Sequence, residues 1–316
     1  MTQADNSKTS QGVAQGIYAP RKKWRNVRRF VQCAIFLLFL SPLFLSAWNL
    51  FGLTQGSDDP QITPSDSPFY GSLSSSQFGP VDLMDPFVTL QLIAATKSFD
   101  LNWLLYALPL LLVFGLIGAR IFCGWVCPVN LFLEAIDFLR KKLGIEVKER
   151  LISRHTKIFI ALAVVLLSFA LSIPFFESFS PISALNKFFI FGSSAGLITL
   201  GLIVIMELFW AHRLWCRALC PLGGFYQLLG RLGLIKVRID KTRCTHCDAC
   251  KKSCIADSEI LKPAVDEKAD FVYAGDCMLC GKCIDVCPVK ALSAQVCPRF
   301  APSQASKTPH KNLDIE

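Results

Sequence analysis

The sequence contains little charge for its length. Only 18% of its 316 residues are Asp, Glu, Lys or Arg, whereas 52% are hydrophobic, and the mean hydropathy is +0.43. This composition is not that of an ordinary soluble protein, and the length is sufficient for two domains. We therefore expect the chain to reside in a membrane.

Features of a cleaved signal peptide are lacking at the N-terminus. Residues 1–20 are polar, and the first apolar run ends near Trp48 and Asn49 instead of at a small-residue cleavage site. That run is therefore expected to remain as a membrane anchor. The basic residues also lack the interleaved aromatics of a nucleic-acid-binding groove, so the net charge of +9 predicts membrane topology and no nucleic-acid partner.

Long apolar runs occur four times in the chain. They cover residues 30–53, 101–119, 158–176 and 188–210. Each run is close to the about 17–25 residues that span a bilayer as an α-helix. One such run could be a buried core helix, but four of them together predict four transmembrane helices.

Basic residues are nearly absent between the first two runs. Residues 54–100 contain Lys97 and six aspartates, whereas residues 21–29 contain six basic residues and residues 120–157 contain eight. An excess of Lys and Arg marks the cytoplasmic side of a membrane protein. The predicted location is the bacterial cytoplasmic (inner) membrane, with a multi-pass chain and both termini in the cytoplasm.

Two segments 93 residues apart share the pattern Arg-x-x-Cys-x-x-x-Cys-Pro. These twin elements read "RIFCGWVCP" from Arg120 and "RLWCRALCP" from Arg213. Each follows the second helix of a predicted hairpin, so we predict two parallel helix pairs with the cysteines of both elements at one level. The four cysteines are Cys123, Cys127, Cys216 and Cys220.

Three interpretations of these four cysteines stay open. Neighbouring basic residues favour the thiolate form, which could bind a further metal or cluster or cycle as redox-active dithiols. Alternatively, the cysteines are small hydrophobic side chains that pack between helices. Chance repetition of the whole pattern is improbable, which favours a metal or redox role.

The C-terminal part contains eight of the 14 cysteines in two regular groups. Both groups have the spacing Cys-x2-Cys-x2-Cys-x3-Cys, which is typical of bacterial ferredoxins with two [4Fe-4S] clusters. In such a run the fourth cysteine ligates the other cluster. The predicted ligands are Cys244, Cys247, Cys250 and Cys287 for cluster one, and Cys277, Cys280, Cys283 and Cys254 for cluster two.

Other uses of these eight cysteines fit less well. The cytosol keeps thiols reduced, which argues against a disulfide framework. Structural zinc sites usually present two separated pairs of ligands rather than three cysteines at this spacing. Unlike Cys287, Cys254 has no proline after it, which we expect to loosen the first lobe without removing a ligand.

The sequence thus predicts two folded parts. Residues 30–235 are expected to form an all-α membrane domain of four transmembrane helices, arranged as two parallel helix pairs. Residues 236–297 are expected to form a small cytoplasmic α+β ferredoxin domain with two [4Fe-4S] clusters. Residues 1–29 are predicted to be a polar, basic cytoplasmic segment, and residues 298–316 a polar tail.

Several segments resemble the NapH family, the membrane ferredoxin-type quinol dehydrogenase components of periplasmic nitrate reduction. The resemblance covers residues 24–294 and includes "DLMDPFVTLQ" at residues 82–91 and "WCRALCPLGGFYQLLG" at residues 215–230. It implies an electron-transfer subunit that oxidises membrane quinol from the quinol pool and is active only with partners. The implied partners are a NapG-type periplasmic ferredoxin, a NapC-type multihaem cytochrome and, indirectly, periplasmic nitrate reductase.

A quinol site needs a group that accepts protons, and ionisable residues within apolar spans are rare and usually functional. Glu207, near the inner end of the fourth run, and His212, just after it, are therefore candidates for this site. Asp85 and Gln91 in the loop segment are rival candidates. In the alternative interpretation, Glu207 neutralises a neighbouring arginine and His212 lies among lipid headgroups.

Related scaffolds serve other functions. Regulators of nitrous oxide reductase and assembly factors for copper-containing oxidases also combine Cys-x-x-x-Cys-Pro elements with a two-cluster domain. The regulators carry a large extracytoplasmic flavin domain, for which residues 54–100 are too short, and in an assembly factor the thiols would handle a metal ion. A transporter would need polar breaks at mid-membrane depth, and Pro109 and Pro174 are weak evidence for such breaks.

Overall fold

The computed structural model of the protein describes the greater part of the chain. The described residues are 23–50, 69–71, 75–78, 81–118, 120–145, 152–191, 196–266 and 269–297. The predicted polar tail lies outside them, as do residues 1–22 of the predicted N-terminal segment and residues 54–68 of the aspartate-rich stretch between the first two apolar runs.

The first part of the chain is mainly helical. Its helices are α1 (Lys23–Leu50), α2 (Pro86–Thr96), α3 (Leu101–Ile117), α4 (Pro128–Lys142), α5 (Thr156–Leu171), α6 (Phe175–Phe179), α7 (Pro181–Phe191), α8 (Leu197–Phe209) and α9 (Pro221–Gly230). A small antiparallel sheet precedes α2, with strands β1 (Phe69–Gly71), β2 (Ser75–Phe78) and β3 (Val81–Met84) in sequential order. Phe87, Phe122, Leu133, Ile203 and Tyr226 belong to the hydrophobic core of this helical part.

The predicted domain of four transmembrane helices is wrong. Within the residues that the structure describes, no helix is both long enough and apolar enough to cross a membrane. The second and third apolar runs form helices of only 17 and 16 residues, and a 16-residue helix is about 24 Å long against a hydrocarbon core of about 30 Å.

The other two runs also differ from the predicted spans. Residues 188–210 are divided between the end of α7 and the 13-residue helix α8. Helix α1 is longer, with 28 residues, but it begins in the basic flank and carries Lys23, Arg25, Arg28 and Arg29 in its first two turns. Apolar content alone did not reveal where these helices begin and end.

Both twin elements have the same local structure. Phe122–Val126 and Trp215–Leu219 each form a short π-helical turn, after which Cys127 and Cys220 are extended, with φ of −64° and −68°. A proline then begins α4 and α9. Proline suits this position because its φ is already helical and it leaves no N–H unpaired. The sequence repeat is therefore also a repeat of the backbone.

The C-terminal part combines a two-stranded sheet with short helices. Strand β4 (Ile235–Ile239) pairs antiparallel with β5 (Leu292–Val296), from Ile235 opposite Val296 to Ile239 opposite Leu292. Between them lie α10 (Ala249–Ser253), a 3₁₀ turn (Ser258–Leu261), α11 (Lys262–Val265) and α12 (Lys282–Val286). Val237, Ile239, Leu261, Val272 and Leu292 belong to its core.

The two parts pack directly against each other. Cys123 and Cys216 of the twin elements contact the hydrophobic cores of both parts. Gly124 lies so close to the second part that a Cβ atom there would be 2.7 Å from the backbone oxygen of Met278. The indole N–H of Trp125 donates to the backbone oxygen of Leu279 at 3.1 Å. The first twin element therefore contacts the loop that carries the predicted ligands of cluster two.

Candidate metal and redox centres

The four predicted ligands of cluster one line one cavity. Cys244, Cys247, Cys250 and Cys287 lie around it, together with apolar side chains that include Val265. Cys244 and Cys247 come from the loop before α10, Cys250 lies in α10, and Cys287 follows α12 at the far end of the second cysteine group. The chain thus brings cysteines from both groups to one cavity, as the crossed ligand assignment requires.

The predicted ligands of cluster two are also neighbours. The thiol of Cys283 interacts electrostatically with the thiols of Cys280, Cys277 and Cys254. Burial raises the pKa of Cys254 to about 12 and that of Cys277 to about 11. A cysteine from the first group therefore lies among three cysteines of the second group.

The two cysteine loops share an unusual backbone conformation. His246 and Leu279, at equivalent positions, have φ of 50° and 48°. Asp248 and Gly281, also equivalent, have φ of 56° and 70°. Left-handed residues turn the chain sharply, and glycine adopts this conformation without steric cost. These turns curl the chain around each group of three cysteines.

The cysteine sites fit a cluster better than a single ion. Among the residues described, no group of three or more His, Cys, Asp or Glu side chains converges closely enough to hold one metal ion. A four-iron cube holds its cysteine sulfurs further apart than a zinc ion does. The four-thiol cavity of cluster one therefore suits an iron–sulfur cube, which would be held by the cysteines and would supply one-electron transfer.

The twin elements together form another cavity lined by four cysteines. This quartet cavity is surrounded by Cys123, Cys127, Cys216 and Cys220, with Phe122, Val129, Phe176, Ile182, Trp215 and Leu222 among the side chains that complete its wall. The cysteines that the sequence placed at one level are thus brought to one site. Each thiol pair comes from one π-helical turn and the residue that follows it.

Burial has the largest effect on the thiol pKa at Cys127, Cys216 and Cys220 of the quartet cavity. Burial raises the pKa of Cys220 to about 11, and burial also raises the pKa values of Cys127 and Cys216. Without a ligand these thiols are expected to stay protonated near neutral pH, in contrast to the thiolate form expected from the nearby basic residues. A bound metal would change this, because a coordinating thiol is deprotonated outright.

The arginines of the twin elements have different partners. Arg120 donates from Nη1 to the carboxylate of Asp276 at 2.8 Å and from Nη2 to the backbone oxygen of Cys216 at 3.0 Å. Arg213 instead donates to the carboxylate of Asp137 at 3.0 Å and to the side-chain oxygen of Asn130. Arg120 thus joins both twin elements to the residue that precedes Cys277.

Sequence reasoning missed the role of Asp276. Its carboxylate is buried and accepts from Arg120, from the Lys157 ammonium and from the Gln227 amide, the last at 2.7 Å. Arg154 lies 3.9 Å away. Three cations therefore surround one carboxylate between cluster two and the quartet cavity, and the excess positive charge favours anionic groups nearby. In the sequence, the one sign of this role was that Asp276 directly precedes Cys277.

The two candidates for the quinol site lie elsewhere. Glu207 is buried, and its Oε1 accepts from the backbone N–H of Trp215 at 3.0 Å, which holds the turn that carries Cys216. His212 lies with Nε2 3.2 Å from the carboxylate of Asp137. Within the described part of the chain, neither residue lines the quartet cavity.

The rival candidates lie inside the helical core. Asp85 caps α2 by accepting from the backbone N–H of Phe87 at 2.8 Å, and its other oxygen accepts from the hydroxyl of Tyr226 at 2.9 Å. Burial raises the pKa of Asp85 to about 6, although these hydrogen bonds oppose the rise. Gln91 accepts from the backbone N–H of Phe176 at 3.0 Å. No sequence pattern indicated that Tyr226 would be the partner of Asp85.

The fold and the cysteine sites define a ferredoxin-type iron–sulfur protein. A family model described as "4Fe-4S dicluster domain" matches residues 236–288, and one described as "4Fe-4S binding domain" matches residues 99–146 and 194–240, which contain the twin elements. No solved structure matches the chain.

Similar proteins place the chain in a family. It is 32% identical to the ferredoxin-type protein NapH of Haemophilus influenzae, over 83% of this chain and 86% of the relative. It is 30% identical to the methylamine utilization ferredoxin-type protein MauN of Methylorubrum extorquens, over 89% and 91%, and 29% identical to NapH of Escherichia coli, over 84% and 86%. The chain belongs to this family of NapH-type and MauN-type ferredoxin-type proteins, and it is an iron–sulfur electron-transfer protein.

Proposed function

We propose that the protein takes electrons from quinol and passes them, through iron–sulfur groups, to a partner protein. The observation that carries this proposal is the quartet cavity, which lies between the helical core and the loop of cluster two. Cys123 and Cys216 contact the cores on both sides. A redox group held there would connect a quinol in the helical part with the ferredoxin part.

The quartet cavity supports a third iron–sulfur group more than it supports free dithiols. The thiol of Cys127 is buried and the other three are partly buried. The Arg120 guanidinium interacts with Cys123 and Cys216, so an anionic cluster would be both ligated and neutralised. The family model that covers both twin elements is described as binding 4Fe-4S. The proposed ligands are Cys123, Cys127, Cys216 and Cys220. The contacts of Glu207 and His212 indicate that these two residues position the elements around them.

We place the protein at the bacterial cytoplasmic membrane, where quinol is found. Large apolar side chains are exposed along three helices of the helical part. They include Leu105 and Leu112 on α3, Phe159 and Leu166 on α5, and Phe209 on α8, each at least half exposed. Extended apolar surface of this kind marks contact with lipid or with a partner protein. Access to a lipid-soluble reductant follows from this placement.

The proposed acceptors are those of the NapH system. Electrons would go to a NapG-type periplasmic ferredoxin and a NapC-type multihaem cytochrome, and from there toward periplasmic nitrate reductase. The similarity to NapH at 32% identity supports this choice. A second candidate is a role in methylamine utilization, because MauN is similar over a comparable share of the chain.

The proposal is tested by iron analysis and by quinol-dependent reduction. Two [4Fe-4S] clusters contain about eight irons. Wild-type protein, prepared anaerobically, is expected to contain more iron than this. The double variant Cys123→Ser, Cys216→Ser should lose the excess iron and the reduction of the remaining iron–sulfur signal by quinol in isolated membranes. Cys33→Ser is the matched control, because Cys33 is exposed on α1.

Two results would contradict the proposal. Unchanged iron content and unchanged reduction in the double variant would show that the quartet cavity holds no redox group. A wild-type protein whose iron–sulfur signal does not respond to quinol would not be a quinol-oxidising protein. The two candidate systems are then separated by measuring whether quinol-dependent electron flow goes to nitrate or is linked to methylamine.

A further inference from the structure

A second cavity lies beside the quartet cavity in the helical part. We call it the carboxylate cavity, because Asp85 and Glu177 both line it. Aromatic side chains, Phe87, Phe122 and Phe176, form much of the remaining wall, and Ser180 adds a polar group. Burying two acidic groups at one apolar cavity costs free energy unless their charges are paired or the groups serve a function.

The two cavities share part of their walls. Phe122, Phe176, Ile182 and Leu222 line both the carboxylate cavity and the quartet cavity. A molecule in the carboxylate cavity would therefore be separated from the four cysteines only by side chains. This adjacency links a site with proton acceptors to a site with metal ligands.

The carboxylates of this cavity are held in place by other groups. Asp85 is fixed by the backbone N–H of Phe87 and by the hydroxyl of Tyr226. The hydroxyl of Ser183 donates to the carboxylate of Glu177. The two carboxylates are close enough for the charge of Glu177 to contribute to the raised pKa of Asp85, after the larger effect of burial. The cavity thus presents two oriented acceptors.

We propose that the carboxylate cavity binds the head group of the quinol, with Asp85 and Glu177 as acceptors for its two hydroxyl groups. This inference rests on the proposed function and assigns its substrate site. Aromatic rings at the cavity suit an aromatic head group, since Phe87 and Phe176 already pack edge to face with centroids 6.0 Å apart.

The chemistry of quinol oxidation matches these groups. Conversion of quinol to quinone breaks two O–H bonds and releases two protons and two electrons. The two protons would pass to the carboxylates of Asp85 and Glu177. The two electrons would leave one at a time to the iron–sulfur groups of the proposed function, each of which is a one-electron acceptor.

This assignment differs from the site first expected at Glu207. The carboxylate of Glu207 accepts from the backbone N–H of Trp215 and lines neither cavity among the residues described. Glu207 therefore positions the turn that carries Cys216 instead of contacting the quinol. Substitutions at the two places should have different effects on binding.

Binding is measured with the fluorescent quinol analogue 2-heptyl-4-hydroxyquinoline N-oxide, whose fluorescence is quenched in a quinol site. Purified full-length protein with its iron retained is titrated with this probe. At least one of Asp85→Asn and Glu177→Gln is expected to weaken binding about tenfold, because the single hydroxyl of the probe would then donate to a neutral instead of a charged acceptor. Asp85→Asn keeps an oxygen that can cap α2.

Two further variants make the result specific. Asp82→Asn is the matched control, because Asp82 is exposed on β3, close to Asp85 in sequence, and binding should be unchanged. Glu207→Gln should also leave the dissociation constant of the probe unchanged. Iron content and the visible spectrum of every variant report whether its metal centres are intact.

The outcomes separate this inference from the proposed function. Equal probe affinity in the wild type, Asp85→Asn and Glu177→Gln would overturn the carboxylate cavity as the site, as would a loss of binding in Glu207→Gln alone. Absence of probe binding to the wild type would also overturn it. In each case, reduction of the iron–sulfur signal by quinol in the same preparation decides separately whether the proposed function stands.

Discussion

Arg120 and Arg213 show that one motif position can serve two roles. Both guanidinium groups are buried, and both begin a twin element. Arg120 reaches the ferredoxin part through Asp276, whereas Arg213 stays within the helical part and pairs with Asp137. Arg120 belongs to the element that packs against Met278 and Leu279 of the cluster-two loop. Buried charges of this kind must be paired, so each arginine fixes the position of its partner.

Replacement of Asp276 by alanine is expected to destabilise the protein strongly. Arg120 and Lys157 would lose the carboxylate that now lies between them, and breaking a buried pair costs about 3–5 kcal/mol. The measurement is the free energy of unfolding from guanidinium titration.

The control for this variant is Asp270→Ala. Asp270 lies 3.7 Å from Lys241 at the surface and is 46% exposed, so its loss should cost at most about 1 kcal/mol. Equal effects of the two substitutions would show that the pairing at Asp276 does not stabilise the junction between the two parts.

Sequence patterns predicted the local chemistry better than the extent of the helices. The common level of the four quartet cysteines was predicted from the repeated Cys-x-x-x-Cys-Pro pattern, and the proline of each repeat begins a helix, α4 or α9. These features depend on neighbouring residues, such as a proline at a helix start or a regular cysteine spacing. They could be recognised without knowledge of the tertiary structure.

Features that depend on distant residues could not be predicted in the same way. The hydrogen bond between Asp85 and Tyr226 joins residues 141 positions apart, and Arg120 and Asp276 are 156 positions apart. Nothing in the local pattern marks such pairs, because only packing brings them together.

The close approach of the first twin element to the cluster-two loop gives a prediction at Gly124. A Cβ atom at this position would lie 2.7 Å from the backbone oxygen of Met278. Gly124→Ala must therefore push the two elements apart and is expected to cost about 1–3 kcal/mol in the free energy of unfolding.

Gly115→Ala provides a matched comparison within a helix. Gly115 lies in α3, and a Cβ atom there meets nothing within 4 Å. Alanine should stabilise the helix by up to about 1 kcal/mol because it has the higher helix propensity. The opposite signs of the two changes can be measured in the same denaturant series, and a neutral Gly124→Ala would mean that the contact with Met278 is loose.

The two parts of the protein share one interface, so they are expected to respond together to changes at the metal sites. Helix α1 belongs to the helical part, yet the backbone N–H groups of Trp24 and Arg25 donate to the carboxylate of Asp285 in α12, at 3.2 and 3.0 Å. Arg120 and Trp125 add two further connections to the loop of cluster two. The metal ligands and the helical part are thus joined from two directions.

Removal of iron should therefore loosen more than the ferredoxin part. Without a metal, the thiols of Cys254 and Cys277 are protonated below their pKa values of about 12 and 11, which burial raises. They can then no longer hold their loops together. Because Asp276 and Asp285 lie on this side of the interface, amide hydrogen exchange is expected to accelerate in residues 244–287 and also at the start of α1 and in the first twin element.

The middle of α5 serves as the internal reference for this experiment. Ala161 and Val164 are buried in the core of the helical part, and their exchange should change little when iron is chelated under anaerobic conditions. Acceleration confined to residues 236–297 would show that the two parts are energetically independent. Equal acceleration throughout α5 would instead show that the whole protein unfolds without iron, because local opening and global unfolding expose different sets of amides.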